Sequence, residues 1–328
     1  MIVLEVSDSV TLMETAVQKK RNRVRVFLGK AVLFMALLLV LDHAIGAILT
    51  HGLKTYFGLQ GSASVLCIGH SRMVLGIDSG ILEEKLQTSV AKYTVRGADT
   101  ADRFAMVRHF LTENPDVRLL VYDVESTSFA GSGLSSNSYR LFYPFMDNPE
   151  MAAYIQQQLT SSLDFRLRQL LRTSRFDEVT VSLALRGLTG MSRNLKMGTF
   201  DPDAEKRRIA RGRRRAVSVE PTKYEVFLDT LEFARGRGVQ IVLVHMPTVD
   251  ILNRFDSENR RRVRQMFADL ASQTPSIHFI DFSTAFESDH NLFFDAIHVN
   301  AKGQTIVSHA LADEIRKLPI PPTATKTE

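Results

Sequence analysis

Short runs of apolar residues alternate with longer amphipathic stretches along most of the chain. The short runs are nearly continuous in valine, isoleucine and leucine, which is typical of parallel strands buried on both faces. We predict strands at residues 64–69, 91–95, 118–123, 239–245 and 277–281. Between them, apolar residues recur at helical spacing at 79–87, 100–114, 222–236, 255–273 and 303–316. This alternation predicts βαβ units, and therefore an α/β fold with helices on both faces of one sheet.

The number of predicted strands limits the possible α/β architectures. Five parallel strands fit a three-layer, flavodoxin-like sheet. The alternation stops between Ser126 and about Pro221, where no strand is predicted. This interval opens with a Gly- and Ser-rich stretch at 129–140 and continues with helical patterns near 149–172 and 176–189. We predict a helical insertion after the third strand, lying over the C-terminal edge of the sheet.

One apolar segment precedes the α/β pattern. Residues 31–50 have about the length that crosses a bilayer, roughly 20 residues. Asp42 and His43 interrupt the segment past its middle, and an acid at the bilayer centre costs about 2.5–3.5 kcal/mol. We predict that 31–50 is an uncleaved transmembrane anchor whose partner is the lipid bilayer. A buried core helix and a cleaved signal peptide remain alternatives.

Basic residues are distributed unequally around the predicted anchor. Six precede it, and the next basic residue is Lys54. The six are Lys19, Lys20, Arg21, Arg23, Arg25 and Lys30. Positively charged segments beside a membrane helix tend to remain in the cytoplasm. The leader 1–30 is therefore expected on the cytoplasmic side of a bacterial inner membrane, which the chain crosses once. The domain at 60–317 is then periplasmic or otherwise extracytoplasmic, and the Pro- and Thr-rich tail 318–328 is expected to be disordered.

Composition excludes several kinds of site. The 328 residues contain a single cysteine, Cys67, so no internal disulfide forms. The absence of an internal disulfide fits a cytosolic protein as well as an exported domain that folds without disulfides. Histidine and cysteine do not cluster at the spacing of metal ligands, so we expect neither a metal nor a cofactor.

Positive charge is concentrated in one run within the predicted insertion. Nine of the chain's Lys and Arg residues lie between Arg193 and Arg215, and the net charge of the chain is +5. The run is either a solvated, mobile face or a contact for an anionic polymer or anionic lipid head groups. On the second interpretation, Arg213, Arg214 and Arg215 are contact residues. The run lacks interleaved aromatic residues, so nucleic acid is not an expected partner.

Candidate catalytic residues follow the predicted strands, where ligands bind in open α/β sheets. Ser71 follows the first strand at the start of a helix, and a loop before the last helix carries Asp295 and His298. A serine nucleophile needs a base, and the base needs an orienting carboxylate. The backbone N–H groups of Ser71 and Gly97 are candidate oxyanion donors. Taken singly, a serine or an aspartate at such a position is more often a helix cap, a histidine is more often structural, and a glycine more often belongs to a turn.

Two sequence blocks together resemble the SGNH/GDSL hydrolase superfamily. The first, IGHSRMVLGID at 68–78, is similar to the G-x-S-R…G-I-D form of membrane-anchored relatives. The second, FFDAIHVNAKGQ at 294–305, is similar to the family's D-x-x-H-x-N-x-x-G. The resemblance implies that Ser71 is the nucleophile, His298 the general base and Asp295 its orienting group. It also matches Gly97, more loosely, to an oxyanion glycine. Arg72, beside the nucleophile, is a weaker candidate for substrate contact.

The family has a further conserved block, called here the third block, which lies between these two in the chain, and there this sequence departs from the family. The family typically has an Asn there as an oxyanion donor, whereas this chain has Tyr-Asp-Val-Glu at 122–125. An ionised carboxylate cannot donate a hydrogen bond, so a third donor is absent or comes from elsewhere. Relatives that share this departure include the DltD-like and alginate O-acetylation-like proteins, which carry one N-terminal helix.

The resemblance to that branch implies a function with one alternative. The implied activity is that of an acyl-serine enzyme on O-acyl esters, first of all O-acetyl esters, of a cell-envelope polysaccharide or exopolysaccharide. Transferase and esterase activity share the same triad, so the sequence leaves that choice open. The alternative is a non-catalytic accessory or glycan-binding protein that partners a membrane-bound O-acyltransferase.

Overall fold

The computed structural model describes residues 2–130, 138–191, 194–214 and 216–319, with side chains from Gln18 onward, except that of Ser138. Parts of three predicted segments lie outside these ranges: residues 131–137 of the Gly- and Ser-rich stretch, Arg193 and Arg215 at the ends of the basic run, and the tail from residue 320.

A five-stranded parallel sheet forms the centre of the molecule, with strand order β2-β1-β3-β4-β5. The strands are β1 Val65–Gly69, β2 Val90–Thr94, β3 Leu119–Val124, β4 Gln240–His245 and β5 Ile277–Asp281. Each begins and ends within one residue of its predicted position. The predicted fold class, a three-layer α/β sheet with an insertion, is confirmed.

Twelve α-helices surround or precede the sheet. They are α1 Ile2–Phe57, α2 Ser71–Gly76, α3 Ser79–Leu86, α4 Thr100–Glu113, α5 Pro149–Gln158, α6 Ser162–Leu170, α7 Glu178–Leu188, α8 Pro202–Ala210, α9 Pro221–Arg235, α10 Asp250–Arg254, α11 Ser257–Gln273 and α12 Ala301–Arg316. Shorter 3₁₀ turns lie at Ser138–Phe145, Arg172–Arg175 and His290–Leu292. All bounds are those of the described residues.

The two faces of the sheet bury separate hydrophobic clusters, because successive side chains of a strand point to opposite faces. Leu66 and Ile68 of β1 pack in a cluster with α4, α9 and α11. Val65 and Cys67, from the same strand, pack in a second cluster with α2, α3 and α12. The nearly continuous apolar sequence of the strands follows from this double burial.

Helix α1 is longer than the predicted anchor and belongs partly to the folded domain. Its last turns enter the core, where Leu53 is 0% and Phe57 is 3% exposed. Gly52 lies against Gly187 of α7, and the absence of side chains there lets the two helices approach closely. By length and composition, α1 from Gln18 to Phe57 is the one helix among the described residues that could cross a membrane.

Asp42, the acid in the predicted anchor, has a specific partner in the insertion. Its carboxylate accepts hydrogen bonds from the backbone N–H of Arg172 at 2.6 Å and of Thr173 at 3.1 Å, and also from the Thr173 hydroxyl. These bonds join α1 to the 3₁₀ turn at Arg172–Arg175. Asp42 therefore lies where α1 begins to contact the domain.

The described part of the insertion between β3 and β4 contains helices and loops and no strand, with two differences from the prediction. The pattern at 149–172 is broken into α5 and α6, because Ser161 caps a new helix by accepting from the N–H of Asp164 at 3.3 Å. The basic run contains α8, which was not predicted. Asp201 caps it and Pro202 occupies its first turn, both ordinary helix-start signals.

Candidate active site

The turn from β1 into α2 leaves the Ser71 hydroxyl available for chemistry. The residue that caps α2 is His70, whose Nδ1 accepts from the N–H of Arg72 at 3.2 Å. Ser71 is the first residue within the helix. Its side chain is therefore not consumed as a helix cap, which was the ordinary structural interpretation of a serine at this place.

Ser71, His298 and Asp295 form one hydrogen-bonded chain. The Oγ of Ser71 lies 2.8 Å from Nε2 of His298. On the other side of the ring, Nδ1 of His298 lies 2.8 Å from Oδ2 and 3.1 Å from Oδ1 of Asp295. The tautomer with its proton on Nδ1 donates to Asp295 and leaves Nε2 to accept from the serine hydroxyl. This is the arrangement that lets a serine lose its proton during nucleophilic attack.

Asp295 is held ionised and in place by its own loop. Its Oδ1 accepts from the backbone N–H groups of Ile297 at 2.9 Å and His298 at 3.0 Å. Burial raises the pKa of Asp295, but the hydrogen bond and charge of His298, together with the two N–H groups, outweigh it and leave the pKa below its ordinary value. The carboxylate is thus an anion at neutral pH and can stabilise a protonated His298.

Asn300, in the same sequence block, holds the loop rather than facing the cavity. Its Oδ1 caps α12 by accepting from the N–H of Gly303 at 3.1 Å. Its Nδ2 donates to the carbonyl oxygens of Asn291 at 2.8 Å and Gly198 at 3.0 Å. The loop that carries Asp295 and His298 is therefore tied to the insertion and to the start of the last helix.

The predicted oxyanion donors occupy the ends of β1 and β2. The N–H of Ser71 points from the first turn of α2, where backbone donors have no partner within the helix. Gly97 has φ +79°, a conformation that favours glycine. The neighbouring residues Ala98 and Asp99 line the cavity beside Ser71, whereas Gly97 itself is not a wall residue.

The third block binds Arg72 and His70 instead of offering a donor. The Glu125 carboxylate accepts from Nη1 of Arg72 at 3.0 Å and from the Thr127 hydroxyl at 2.8 Å, and it lies 3.3 Å from Nε2 of His70. Burial raises the pKa of Glu125, but His70 above all, followed by Arg72 and Thr127, holds it well below its ordinary value. Glu125 is therefore an acceptor, consistent with the departure seen in the sequence.

Arg72 is occupied by protein groups on both of its terminal nitrogens. Nη2 donates to the carbonyl oxygens of Met246 and of Pro247, the latter at 2.9 Å, and to the Thr248 hydroxyl at 2.8 Å. With Glu125 on Nη1, Arg72 joins the ends of β3 and β4. The side chain borders the cavity, but its hydrogen bonds are those of a structural residue.

A cavity of about 400 Å³ opens beside Ser71 and His298 at the C-terminal edge of the sheet. Arg213 and Arg214, two of the three arginines predicted to contact substrate, line it, and the third, Arg215, lies outside the described residues. The sequence analysis missed three further cations in the wall, Arg103, Lys223 and Arg260. They come from three helices, and on a helix a charged residue gives no sequence signal that distinguishes a cavity from solvent. No group of three or more His, Cys, Asp or Glu suited to a metal is present among the described residues.

Comparisons with known proteins give weak similarities. No family model and no curated protein matches the chain. A solved structure of a candidate platelet activating factor from Streptococcus pneumonia matches with 14% identity over 88% of this chain and 99% of that one, at a TM-score of 0.41. A candidate G-D-S-L family lipolytic protein from Desulfitobacterium hafniense matches with 10% identity over 76% and 97%, at 0.38. A candidate acylhydrolase from Bacteroides fragilis matches with 10% identity over 77% and 86%, at 0.37. Since scores below 0.5 do not establish a shared fold, the geometry of the site carries the functional conclusion.

Proposed function

We propose that this protein is an SGNH-type serine enzyme that acts on O-acyl esters of a cell-envelope or secreted polysaccharide, as an esterase or O-acyltransferase. The observation that carries the proposal is the hydrogen-bonded chain Ser71–His298–Asp295 at the mouth of a cavity. The order of the two matched sequence blocks supports the same family. Covalent labelling with a fluorophosphonate tests the proposal: an adduct on Ser71 is expected, and a folded protein without label would contradict it.

The chemistry runs through an acyl-serine intermediate. Ser71 Oγ attacks the ester carbonyl carbon while its proton passes to Nε2 of His298. The backbone N–H groups of Ser71 and Gly97 stabilise the oxyanion. When the tetrahedral intermediate collapses, the ester C–O bond breaks and His298 returns the proton to the leaving sugar oxygen. Water or a second sugar hydroxyl then attacks the acyl-serine by the reverse sequence, giving hydrolysis or transfer.

We further propose that α1 crosses a bacterial inner membrane and holds the domain at its outer surface. The unequal charge around residues 31–50 and the apolar exposed surface of α1 before Asp42 support this. Helix α6 ends beside the turn that Asp42 binds, and it exposes Leu163, Leu167 and Leu170. Leucines exposed next to the end of a membrane helix suit contact with the lipid interface.

Membrane topology gives a first expected result. A periplasm-dependent alkaline phosphatase fused after residue 319 should be active, because six basic residues before the anchor keep the N-terminus in the cytoplasm. The same reporter fused at residue 20 is the control and should be inactive. Activity of a cytoplasm-dependent reporter at the C-terminal position, in place of the phosphatase, would contradict the proposed location.

A second function has one observation in its favour. Glu125 occupies the position where related enzymes are expected to carry an oxyanion donor, and it is bound to Arg72 and His70. A domain that binds glycan and assists a membrane-bound O-acyltransferase would not need that donor. Such a protein would require the cavity but not the nucleophilicity of Ser71, and the Ser71 experiments in the Discussion separate the two functions.

A further inference from the structure

The cavity beside Ser71 carries more positive than negative charge. Six cationic side chains line it, against two carboxylates, Asp99 and Glu125. The six are Arg72, Arg103, Arg213, Arg214, Lys223 and Arg260. Two are neutralised within the protein: Arg72 pairs with Glu125 at 3.0 Å, and Arg214 binds the buried carboxylate of Glu205 at 2.5 and 2.7 Å.

Among the described residues, no carboxylate lies within ion-pair distance of the remaining four cations. Arg103 is 3% exposed and donates to the carbonyl oxygens of Ala98 at 3.3 Å and Asp123 at 2.7 Å, and its guanidinium lies 5.5 Å from the ring centre of Tyr122. Burial lowers the pKa of Arg103, but Tyr122 and the charges of Asp123 and Glu125 outweigh it and raise that pKa. Lys223 Nζ donates to a single carbonyl oxygen, at 3.2 Å. Arg213 is exposed at the rim; its backbone N–H donates to the carbonyl oxygen of Arg208 at 2.9 Å, and its side chain makes no hydrogen bond or ion pair with any described residue.

Arg260 is the clearest unsatisfied group. Its side chain belongs to a residue that is 8% exposed, and its Nε donates to Phe255 O at 2.9 Å. Its two terminal nitrogens have no hydrogen-bond partner among the described residues. The nearby carboxylate of Asp256 is engaged by the N–H of Val217 at 2.7 Å and by Asn259 at 2.7 Å. Guanidinium N–H groups that border a cavity without a protein acceptor can donate to an anion bound there.

The pKa of Arg260 reflects the charges around it. Burial and the positive charges of Arg72 and Arg214 lower this pKa, the carboxylates of Glu125 and Asp256 partly offset them, and the result is about 10. An anion bound beside Arg260 would counter the remaining positive potential. Guanidinium forks match carboxylate and phosphate oxygens, which accept two parallel hydrogen bonds.

We propose that the cavity contains a subsite for an anionic group of the substrate. In this subsite Arg260, Arg103 and Arg213 bind a carboxylate or phosphate of an acidic polymer, next to the ester that Ser71 attacks. The inference rests on the proposed function and names its substrate class. A cavity of about 400 Å³ holds a short segment of a saccharide rather than a whole chain. The basic run also exposes Arg207, Arg208 and Arg211, to which a polyanion can extend. Arg207 lies 3.8 Å from Asp201 and Arg208 lies 3.8 Å from Glu205, both at exposed arginine side chains.

The experiment compares anionic and neutral esters with full-length protein in nanodiscs. The probes are an O-acetylated oligouronate, an O-acetylated glycerol-phosphate oligomer and an O-acetylated neutral glucan oligomer. Wild-type protein should prefer at least one anionic probe, and added salt should weaken that preference. The Arg260→Gln variant should lose about tenfold in kcat/KM on that probe, since bonds to charged groups are the stronger ones, and change less than about twofold on the neutral probe.

Two further variants test whether the effect of Arg260→Gln comes from the anion-binding subsite. Arg213→Gln alters an exposed rim residue and leaves folding unaffected, and it should lose about threefold on the anionic probe only, as expected for a solvent-screened charge. Arg254→Gln removes an exposed arginine that pairs with Asp250 away from the cavity, and it should change neither activity. Equal losses on anionic and neutral probes, or no preference in the wild-type protein, would overturn the subsite.

Failure of the subsite and failure of the proposed function are distinguishable. Calorimetric titration of the Ser71→Ala variant with the deacetylated anionic oligomers measures binding without chemistry. Salt-sensitive binding that Arg260→Gln weakens, in a protein whose wild type turns over no ester, supports the subsite and rejects the enzyme. Turnover of neutral esters without any anion preference keeps the enzyme and rejects the subsite.

Discussion

Replacing Ser71 with alanine should lower ester turnover by at least about 10³-fold, because removing the nucleophile leaves only the contribution of binding and of the oxyanion donors. The Ser71 hydroxyl has one described side-chain partner, Nε2 of His298 at 2.8 Å, and the residue is only partly buried. Folding should therefore be unaffected. The measurement is acyl transfer or release on the native polymer in cells, together with hydrolysis of a soluble acetyl ester.

The control for this variant is Ser272→Ala, which removes an exposed hydroxyl near the end of α11 that contacts only the carbonyl of Asp269. It should leave turnover unchanged. Normal polymer acylation by Ser71→Ala, at normal expression, would contradict the enzyme and favour the accessory protein that binds glycan.

Replacing Asp295 with asparagine should lower kcat by about 10²–10⁴-fold with little change in KM. The amide can still accept from the N–H groups of Ile297 and His298, so the loop keeps its shape. However, its NH₂ group facing Nδ1 favours the wrong tautomer of His298, and no anion remains to stabilise the protonated ring. Steady-state kinetics on a soluble ester separate the loss in kcat from any loss in KM.

The charge of Asp295 makes this prediction specific. Since its pKa is below the ordinary value, the wild-type carboxylate stays ionised throughout the neutral range, and raising the pH should not restore the asparagine variant. Asp313→Asn, an exposed change on α12, is the matched control and should behave as wild type. A loss confined to KM would assign Asp295 to substrate binding and contradict its role in orienting His298.

The sheet could be predicted closely from the sequence, because strands buried on both faces are continuous apolar runs bounded by polar turns. The proximity of Ser71, Asp295 and His298 could be predicted from the order of the strands, because side chains that follow parallel strands meet at one edge of the sheet. The local signals for α8, Asp201 and Pro202, were present and outweighed by the high charge of the run.

Other features depend on contacts between residues far apart in the chain. The docking of α1 on α7 and the pairing of Asp42 with Arg172 join segments that are more than 100 residues apart in the chain. No local pattern specifies which distant segment a helix packs against, so neither contact was predictable. Arg260 stands in a charged stretch of α11, ENRRRVRQ, where any arginine suits solvent. Only the fold reveals that this one is buried beside Ser71 and has unpaired terminal nitrogens.

The most direct test of the central claim is labelling of the full-length protein with a fluorophosphonate, followed by peptide mapping. A serine activated by His298 and Asp295 attacks the phosphorus and forms a stable covalent adduct, whereas an ordinary serine does not react. We predict one adduct per chain, on the peptide that contains Ser71, and its loss in His298→Ala. An unlabelled folded protein, or a label on another serine that persists in Ser71→Ala, would contradict the assignment of Ser71 as the catalytic nucleophile.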